Sequence, residues 1–476
     1  MAAWDRRTTA QLRAQREAAV RAQVLHAVAP FSPYWRDRLQ ALGRSPAAAA
    51  SLAGLAQLPA VGERDVCPDG EPAGAAGLVL QVGESGFALH ADGPVLRRAL
   101  VRRLLRRDAY RVIVETDTRP TSYVWAGLGL RFPVASSRSD LDLMARAGAR
   151  LWQLLGLTRA DVVVSALPGG ATASAQALQL GALGAGSPLL AVGEDVDALA
   201  ASLRLMPATV LALPSVSAAG TVEELVVAAV PLAALRTVLL VGAPYDDERD
   251  EVVEALRRGG LDACAVLAVH VPEGHRLMWA ECRESAGRTG LHTYPDLEVV
   301  EVVDPETGEA PLAADGSREV VVTQLGFRGS ALLRWRTGDV VDGVEDGPCP
   351  SCGRTVPRVT GLRAGALVPL LDLRTGTRSL DARGVAAALV GRPDVADWRV
   401  VIAPSGRDDA DEVVVHVVPA DGADPAEVAV ATAADIRRAT GVLPTQVVVA
   451  GAGELPADGA QLTHRVLARR EPVCGV

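Results

Sequence analysis

The sequence predicts an α/β protein with a large N-terminal domain of mixed, mostly parallel sheets and helices, followed by a small α+β C-terminal domain. Between residues 161 and 269, short apolar strands alternate with helices of roughly ten to fifteen residues, a pattern typical of a buried parallel sheet. From Leu297 onward, turn-separated strands predict a β-meander. At 476 residues the chain exceeds the ~250–300 residues of a single core, so we predict domains at 1–362 and 363–476.

The first part of the chain predicts helices and loops. Residues 1–45 carry apolar positions at helical spacing, and Pro46–Leu58 predicts a second helix with Ser45 as its N-cap. Leu78–Val82 predicts a short strand. Tyr123–Val134 combines glycines with aromatic residues and predicts a loop.

The remaining elements follow the two patterns. The alternating region has predicted helices at Leu141–Leu155, Ala171–Leu183, Val196–Leu203, Val222–Val230 and Asp246–Arg258, and predicted strands at Asp161–Ala166, Pro188–Val192, Thr209–Leu213, Thr237–Val241 and Ala263–Val269. The meander and the C-terminal domain have predicted strands at Glu298–Val303, Glu319–Thr323, Ala331–Arg336, Trp398–Ala403, Glu412–Val418 and Gln446–Val449, and predicted helices at Asp381–Leu389 and Pro425–Arg438.

The composition excludes several classes of function. Charged residues make up 22% of the chain and the net charge is −9, which argues against a nucleic-acid binder. The longest apolar run, Leu225–Tyr245, is interrupted by Pro231 and Arg236, so no membrane span is predicted. The N-terminal segment lacks the apolar core of a secretory signal, and six cysteines are too few for a disulfide scaffold. We therefore expect a cytoplasmic protein, whose oligomeric state the sequence does not reveal.

The chain contains no lysine, because all 48 of its Lys and Arg residues are arginine. No catalytic step can therefore use a lysine ammonium group. Many arginines share one predicted amphipathic helix, Val95–Tyr110. That helix either binds a phosphate-rich ligand or an anionic surface, or it forms ion pairs with the acidic remainder of the chain.

The stretch Leu332–Gly361 is the densest in chemically specific residues. It places the carboxylate of Asp339 in a turn after an apolar strand, which is either a binding group or an ordinary turn aspartate. Cys349 and Cys352 follow at the spacing of a zinc knuckle.

A second pair of metal-binding residues, Cys282 and His292, borders the same predicted meander. Together with Cys349 and Cys352 it would form a tetrahedral Cys₃His site for a structural Zn²⁺, because four protein ligands leave no open position for water. The alternatives are reduced buried cysteines beside an unrelated histidine, or a redox CxxC motif. The sequence defines no partner for the other two histidines of this region, His270 and His275.

Several fragments occur in the order that they have in the adenylate-forming superfamily. They are PYWRDRL near the start, VLLVGAPYDDE (Val238–Glu248), a Glu-Cys pair followed by a histidine (Glu281–His292), GLHTYPDLEVVEVVDPETGE, LLRWRTGD, CPSCGR and PRVTGLR. The chain most closely resembles the phenylacetate–CoA ligase-like branch, from about Leu141 to Ala403.

This resemblance implies a large N-terminal domain and a C-terminal lid that rotates between two half-reactions. It also implies an enzyme that converts a small carboxylic acid and ATP, with Mg²⁺, to an acyl-adenylate and then transfers the acyl group to the thiol of coenzyme A. The alternative is a catalytically impaired family member that binds nucleotide, CoA or a protein partner. Members of the branch have cysteines and a histidine in matching places and can bind zinc there.

The resemblance assigns roles to single residues. Asp339 matches the carboxylate that accepts hydrogen bonds from both ribose hydroxyls of ATP. Glu273 matches the glutamate that helps to hold Mg²⁺, but Val269 and His270 replace the tyrosine–glycine pair of that motif and Pro272 replaces its hydroxyl residue. A purely structural Glu273 is the alternative.

Two further matches concern the adenine and the hinge. Gly242, Ala243 and Pro244 match the stretch that lies against adenine, and a plain strand-to-helix turn explains them nearly as well. Arg363 lies near the hinge arginine that contacts the nucleotide. The acidic residues that follow in the family are replaced here by Ala364-Gly365-Ala366.

Two departures from the family weaken the expected catalysis. The family phosphate loop is rich in Ser, Thr and Gly, whereas the best positional match, Ala126–Pro133, has two glycines and a proline but no hydroxyl group. Gly83–Gly86 matches in composition only. The C-terminal lysine of the family is absent, and the equivalent stretch Ala457–Arg470 offers Gln461, Arg465, Arg469 and Arg470 instead.

Overall fold

The computed structural model describes residues 4–67, 72–82, 119–127, 131–242, 246–285, 289–305, 307–310, 318–365, 367–370, 378–381, 392–404, 411–451 and 466–467, and isolated residues between these ranges. The chain divides into two compact units. The first comprises Met1–Gly127 and Arg131–Ala364, and the second comprises Leu128–Leu130 and Gly365–Val476. The predicted α/β architecture, with a smaller C-terminal sheet domain, is confirmed.

The N-terminal segment is helical, as predicted, but its helices are short. They are α1 (Thr9–Gln23), α2 (Pro33–Ala41), α3 (Pro46–Ala49), α4 (Leu52–Ala56) and α5 (Glu63–Val66), with a π-helical turn at Val24–Val28, a single α turn at Ala29–Phe31 and a 3₁₀ helix at Pro72–Leu78. The single helix predicted at Pro46–Leu58 is wrong because Ser51 starts a new helix, its hydroxyl accepting from the amide of Gly54 at 3.0 Å. The strand predicted at Leu78–Val82 is only an isolated bridge between Val79 and Ser330.

A nine-stranded sheet is central to the first unit. Its strands are β3 (Val163–Ser165), β4 (Leu189–Ala191), β5 (Val210–Pro214), β6 (Thr237–Val241), β7 (Ala265–His270), β8 (Trp279–Ala280), β9 (Leu291–His292), β13 (Gly343–Glu345) and β14 (Arg358–Thr360). They lie in the order β13-β14-β9-β8-β7-β6-β5-β3-β4. The five strands from β4 to β7 are parallel, and the pairs from β7 to β13 are antiparallel.

Five helices pack on the sheet; the first leads into β3 and the other four connect the parallel strands. They are α6 (Arg138–Leu154), α7 (Ala173–Ala185), α8 (Val196–Leu205), α9 (Ala218–Val227) and α10 (Asp246–Arg258). Buried aliphatic residues from strands and helices form a continuous core on each side, as the apolar runs of the sequence predict. α6 and α7 approach so closely that a Cβ on Gly148 would lie 2.1 Å from the Cα of Gly181.

Two smaller sheets complete the first unit. β1 (Pro120–Ala126) and β2 (Phe132–Ser137) form an antiparallel hairpin where a loop is predicted at Tyr123–Val134. That prediction is wrong because Val124 and Ala126 alternate with exposed aromatic residues and are buried, which is a strand pattern. β10 (Glu298–Val303), β11 (Glu319–Gln324) and β12 (Trp335–Val340) form the predicted antiparallel meander.

The second unit is a small α+β domain. It contains the two-stranded sheet of β15 (Leu367–Leu370) and β16 (Arg378–Asp381), and a four-stranded sheet of β17 (Val395–Pro404), β18 (Asp411–Pro419), β19 (Gln446–Val449) and β20 (Val466–Leu467). The latter has the order β19-β18-β17-β20. Helix α11 (Pro425–Thr440) packs through Val428 and Ile436 against its apolar core.

Two further predictions are that no segment spans a membrane and that Val95–Tyr110 forms an arginine-rich helix. Among the described residues, no helix combines the length and the apolar character that a bilayer crossing requires. Most of the arginine-rich helix predicted at Val95–Tyr110 lies outside the described residues.

Candidate functional site

One group of polar residues lies where the parallel strands of the large sheet end. In open α/β sheets, ligands bind in the crevice at the carboxyl ends of the strands. Gly242 follows β6 directly and adopts φ +119°, a conformation that favours glycine, and its amide donates to the carbonyl of Val269 at 3.0 Å. His270 is the last residue of the neighbouring strand, β7. Ala243 and Pro244, the other two residues predicted to lie against adenine, are outside the described residues.

Asp339 reaches the same strand ends from the meander, and we call the group of Gly242, His270, Glu273 and Asp339 the strand-end crevice. It lies on β12, is 1% exposed, and its amide donates to the hydroxyl of Thr337 at 3.1 Å. Its Oδ2 lies 2.8 Å from Nε2 of His270, which is 5% exposed. The predicted ribose-binding carboxylate is therefore in a buried contact with a histidine to which the sequence assigned no partner.

Glu273 lies in the turn after β7 and faces the β1–β2 hairpin. Its Oε1 accepts from the backbone amide of Gly127 at 2.6 Å and from the amide of Gly274 at 3.2 Å. Burial, together with the negative charges of Glu63 and Asp339, raises the pKa of Glu273 to about 7, although both backbone hydrogen bonds oppose the shift. The predicted Mg²⁺ ligand therefore keeps its proton to a higher pH than an ordinary glutamate does.

The turn that carries Glu273 has a fixed backbone. Gly274 adopts φ +72°, and a Cβ there would lie 2.4 Å from Nε1 of Trp335. The carbonyl of Gly274 accepts from the side-chain amide of Gln324 at 2.8 Å. Trp335 in turn packs edge-on against Phe132, with ring centroids 5.3 Å apart.

Arg363 does not join these residues through any contact found among the described residues. Its backbone pairs with Val340, with N···O distances of 2.7 and 3.0 Å. Its guanidinium lies 3.1 Å from Oδ1 of Asp342 in a half-exposed ion pair. The nucleotide role predicted for Arg363 therefore stays a prediction.

A second group of residues, which we call the Cys/His cluster, comprises Cys282, His292, Cys349 and Cys352. Cys282 follows β8, and its neighbour Glu281 is held by Arg249 at 2.8 Å. His292 lies on β9, and the two other cysteines lie in the loop between β13 and β14. Because β14 pairs with β9, the antiparallel edge of the large sheet brings both predicted ligand pairs together.

The cluster has the dimensions of a tetrahedral metal site. One potential ligand atom from each of the four residues lies within 4.8 Å of all the others. The Sγ atoms of Cys282 and Cys349 are 3.9 Å apart, and Sγ of Cys352 is 3.6 Å from Nε2 of His292. A zinc tetrahedron with ~2.3 Å Zn–S and ~2.0 Å Zn–N bonds has edges of about 3.6–3.8 Å. The residues present therefore fit the ion that the sequence predicts.

The electrostatic surroundings favour the metal-binding form of His292 and Cys349 and oppose that of Cys282. Burial, then the positive charges of Arg354 and Arg358, lower the pKa of His292 to about 3, so its imidazole is neutral as a metal ligand must be. Burial and the neighbouring thiols raise the pKa of Cys282 to about 12. Burial opposes ionisation of Cys349 as well, but hydrogen bonds from backbone amides outweigh it and lower the pKa of that thiol. All five described cysteines are free thiols.

Residues around the cluster were not found by sequence reasoning. The Cys349 thiol donates to Oγ1 of Thr289 at 3.7 Å, and the buried Arg358 donates to the carbonyl of Thr289 at 2.9 Å. Arg354 pairs with Asp5 at 2.9 Å, which attaches the N-terminal segment to the same loop. Arg354 and Arg358 follow the CxxC motif closely in the sequence, whereas Thr289 and Asp5 carry no comparable signal.

The comparisons with known proteins concern the fold. The chain has the adenylate-forming ligase fold: 2-hydroxyisobutyryl-CoA ligase in the post-adenylation state, in complex with R3-HIB-AMP, superposes with a TM-score of 0.63, and its open conformation in complex with 2-HIB-AMP and CoA superposes with 0.61. Identity is 17% in both cases, over 98% of this chain and 91% and 93% of the ligase chains. No protein-family model and no curated protein matches the sequence.

Proposed function

We propose that this protein is a divergent adenylate-forming ligase of the phenylacetate–CoA ligase-like kind, which joins a small carboxylic acid to coenzyme A at the expense of ATP. The observation that carries the proposal is the gathering of Gly242, His270, Glu273 and Asp339 at the carboxyl ends of β6 and β7, where α/β sheets bind nucleotides. The fold shared with 2-hydroxyisobutyryl-CoA ligase along 98% of the chain supports it.

The reaction proceeds in two steps. A carboxylate oxygen of the acid attacks the α-phosphorus of ATP and diphosphate leaves, which gives the acyl-adenylate. The thiol sulfur of coenzyme A then attacks the acyl carbon, the acyl–phosphate bond breaks and AMP leaves. The Asp339 carboxylate would accept from the ribose hydroxyls, and Glu273 would supply one carboxylate oxygen to a phosphate-bound Mg²⁺.

A second candidate function is nucleotide or CoA binding without catalysis. It is favoured by the absence of lysine from the whole chain, because arginine is then the only permanently charged cationic side chain that can stabilise the charge developing on the α-phosphate and carboxylate. Loss of one preorganised charge of this kind lowers rates by ~10²–10³.

One experiment separates these candidates. ATP binding is measured by calorimetry, and carboxylate-dependent exchange of diphosphate into ATP is measured over a panel of aryl and alkyl acids. Exchange that is lost in Asp339→Ala supports the ligase, and binding without exchange supports the non-catalytic candidate. If the protein shows neither ATP binding nor exchange, the ligase and the nucleotide-binding form of the second candidate are both overturned, and only CoA binding is left to test.

We also propose that the Cys/His cluster holds one structural Zn²⁺. The support is that the four ligand atoms lie within 4.8 Å of one another, together with the neutral imidazole of His292. Protein purified without chelators is expected to contain one equivalent of zinc by elemental analysis. A zinc content near zero that stays near zero after incubation with zinc would contradict the proposal.

A further inference from the structure

We propose that side chains of the protein itself occupy the strand-end crevice. The side chains of His270 and Glu273 take the places that the ribose and the phosphates of ATP would occupy, so that ATP binds only by displacing them. The inference rests on the proposed nucleotide site at Asp339. It makes His270 and Glu273 residues that set the affinity for nucleotide, a role that differs from holding the ligand.

The ribose side of the crevice is occupied by His270. Its Nε2 lies 2.8 Å from Oδ2 of Asp339, and both side chains are buried. An oxygen that already faces an imidazole at this distance offers that position to a ribose hydroxyl only after the ring has moved. Removal of the imidazole therefore removes a competitor for the carboxylate.

The phosphate side is occupied by Glu273. Its carboxylate accepts from the amide of Gly127 at 2.6 Å, and Gly127 belongs to Ala126–Pro133, the stretch that best matches a phosphate loop. Backbone amides of such stretches are the donors that bind phosphate oxygens. A carboxyl group on this amide occupies the donor, and in its ionised form it also repels an incoming anion.

Displacement of Glu273 requires rotation of its side chain, since the backbone of its turn is fixed. Gly274 is packed against the indole of Trp335 and is hydrogen-bonded to Gln324. His275 closes the turn by donating its amide to the carbonyl of Pro272 at 2.9 Å. When no nucleotide is bound, this fixed turn holds Glu273 on the Gly127 amide. When nucleotide is bound, the same turn would place Glu273 near a phosphate-bound Mg²⁺.

The two contacts can be tested separately with ligands that probe each side. Adenosine carries the ribose without phosphates, so His270→Ala should raise its affinity about tenfold, the value of one hydrogen bond to a charged group. Glu273→Ala should leave adenosine binding unchanged and raise the affinity for ATP about tenfold or more. ATP is titrated without Mg²⁺, which separates this effect from loss of a magnesium ligand.

Controls keep fold defects and nucleotide effects apart. His26→Ala removes a histidine whose Nδ1 lies against the carbonyl of His90, and Glu224→Gln changes an exposed glutamate of α9. Both should bind adenosine and ATP as the wild type does. The melting temperature of each variant is measured. Adenosine and ATP are also titrated into Asp339→Ala and into the double variant that combines it with His270→Ala.

The outcomes decide between the inference and the proposed function. The inference is overturned, and the nucleotide site retained, if the wild type binds nucleotide and Asp339→Ala does not, while His270→Ala and Glu273→Ala bind as the wild type does or more weakly. Absence of binding in the wild type and in both variants would overturn the two together. As a second readout, the imidazole ¹⁵N signal that His270→Ala deletes should shift when adenosine is added to the wild type.

Discussion

The Cys/His cluster and the strand-end crevice are both groups of polar residues buried in the first unit, but their hydrogen bonding differs. In the cluster, the contacts between the four potential ligand atoms are weak ones through sulfur, at 3.9 Å between Cys282 and Cys349 and at 3.6 Å between Cys352 and Nε2 of His292. In the crevice, the carboxylates of Asp339 and Glu273 each contact a partner within the chain, His270 and the amide of Gly127.

This difference indicates what each group needs from outside the chain. Buried polar groups in native proteins are almost always satisfied, so side chains that converge with only weak contacts between them are expected to bind an external ion. Side chains that satisfy one another do not call for a ligand. We infer that the metal contributes to folding of the unit, whereas nucleotide is an optional ligand that must compete with internal contacts.

The largest expected effect is loss of a metal ligand. Cys349→Ala should lower the melting temperature by at least about 8 °C, because the binding free energy of a structural zinc ion is also folding free energy. Differential scanning calorimetry measures the change, with Cys264→Ala as the matched control, since Cys264 is a half-buried thiol outside the cluster. Equal losses for the two variants would refute a special role for the cluster.

The next largest effect concerns the contact between His270 and Asp339. Asp339→Ala leaves the buried imidazole without its acceptor and should cost about 2–4 kcal/mol of stability. In a double-mutant cycle with His270→Ala, the coupling should be about 1–3 kcal/mol, because each single change also removes the contact made by the other residue. If the losses in free energy of unfolding of the two single variants, measured by denaturant melts, add up to the loss in the double variant, the contact contributes nothing.

A smaller, pH-dependent effect is expected at Glu273, whose pKa is about 7 in the folded chain against an ordinary 4.5. Below pH 4.5 both states are protonated and Glu273 has no effect. Between pH 4.5 and 7 the unfolded chain ionises while the folded chain keeps its proton, so stability falls, and above 7 the loss is constant.

Glu273→Gln retains an oxygen that accepts from the Gly127 amide but cannot ionise. Its advantage over the wild type should therefore increase by up to ~3 kcal/mol from pH 4.5 to 7 and then stay level. Melting temperatures at half-unit steps of pH measure this difference. An advantage that declines as pH rises would show that Glu273 is ionised and stabilised in the fold.

The sequence predicts the parallel half of the fold well. The strand Thr237–Val241 and the helix Asp246–Arg258 have the predicted bounds, because a buried strand is a short apolar run and a surface helix alternates its faces at helical spacing. The hairpin of β1 and β2 is missed, since its glycines and exposed aromatic residues conceal the alternation of buried positions. Turn composition, read alone, favours a loop there.

The two sites also differ in how well the sequence predicts them. Each half of the Cys/His cluster is a local motif, and one strand pairing, β9 with β14, brings the halves together. The contact between His270 and Asp339 joins residues 69 positions apart on different sheets. No spacing rule encodes the approach of one sheet to another, so the partner of Asp339 could not be predicted.

The smallest expected effect is that of Arg363→Ala. The guanidinium is paired with Asp342, whose side chain is 67% exposed, and such surface pairs contribute ~0–1 kcal/mol because water and salt screen them. Stability should therefore change by less than about 1 kcal/mol, while the backbone pairing of Arg363 with Val340 is retained. If the residue nevertheless contacts nucleotide, ATP affinity will fall in this variant without a change in melting temperature. That result would place Arg363 with the crevice, and unchanged affinity would leave it a surface ion pair.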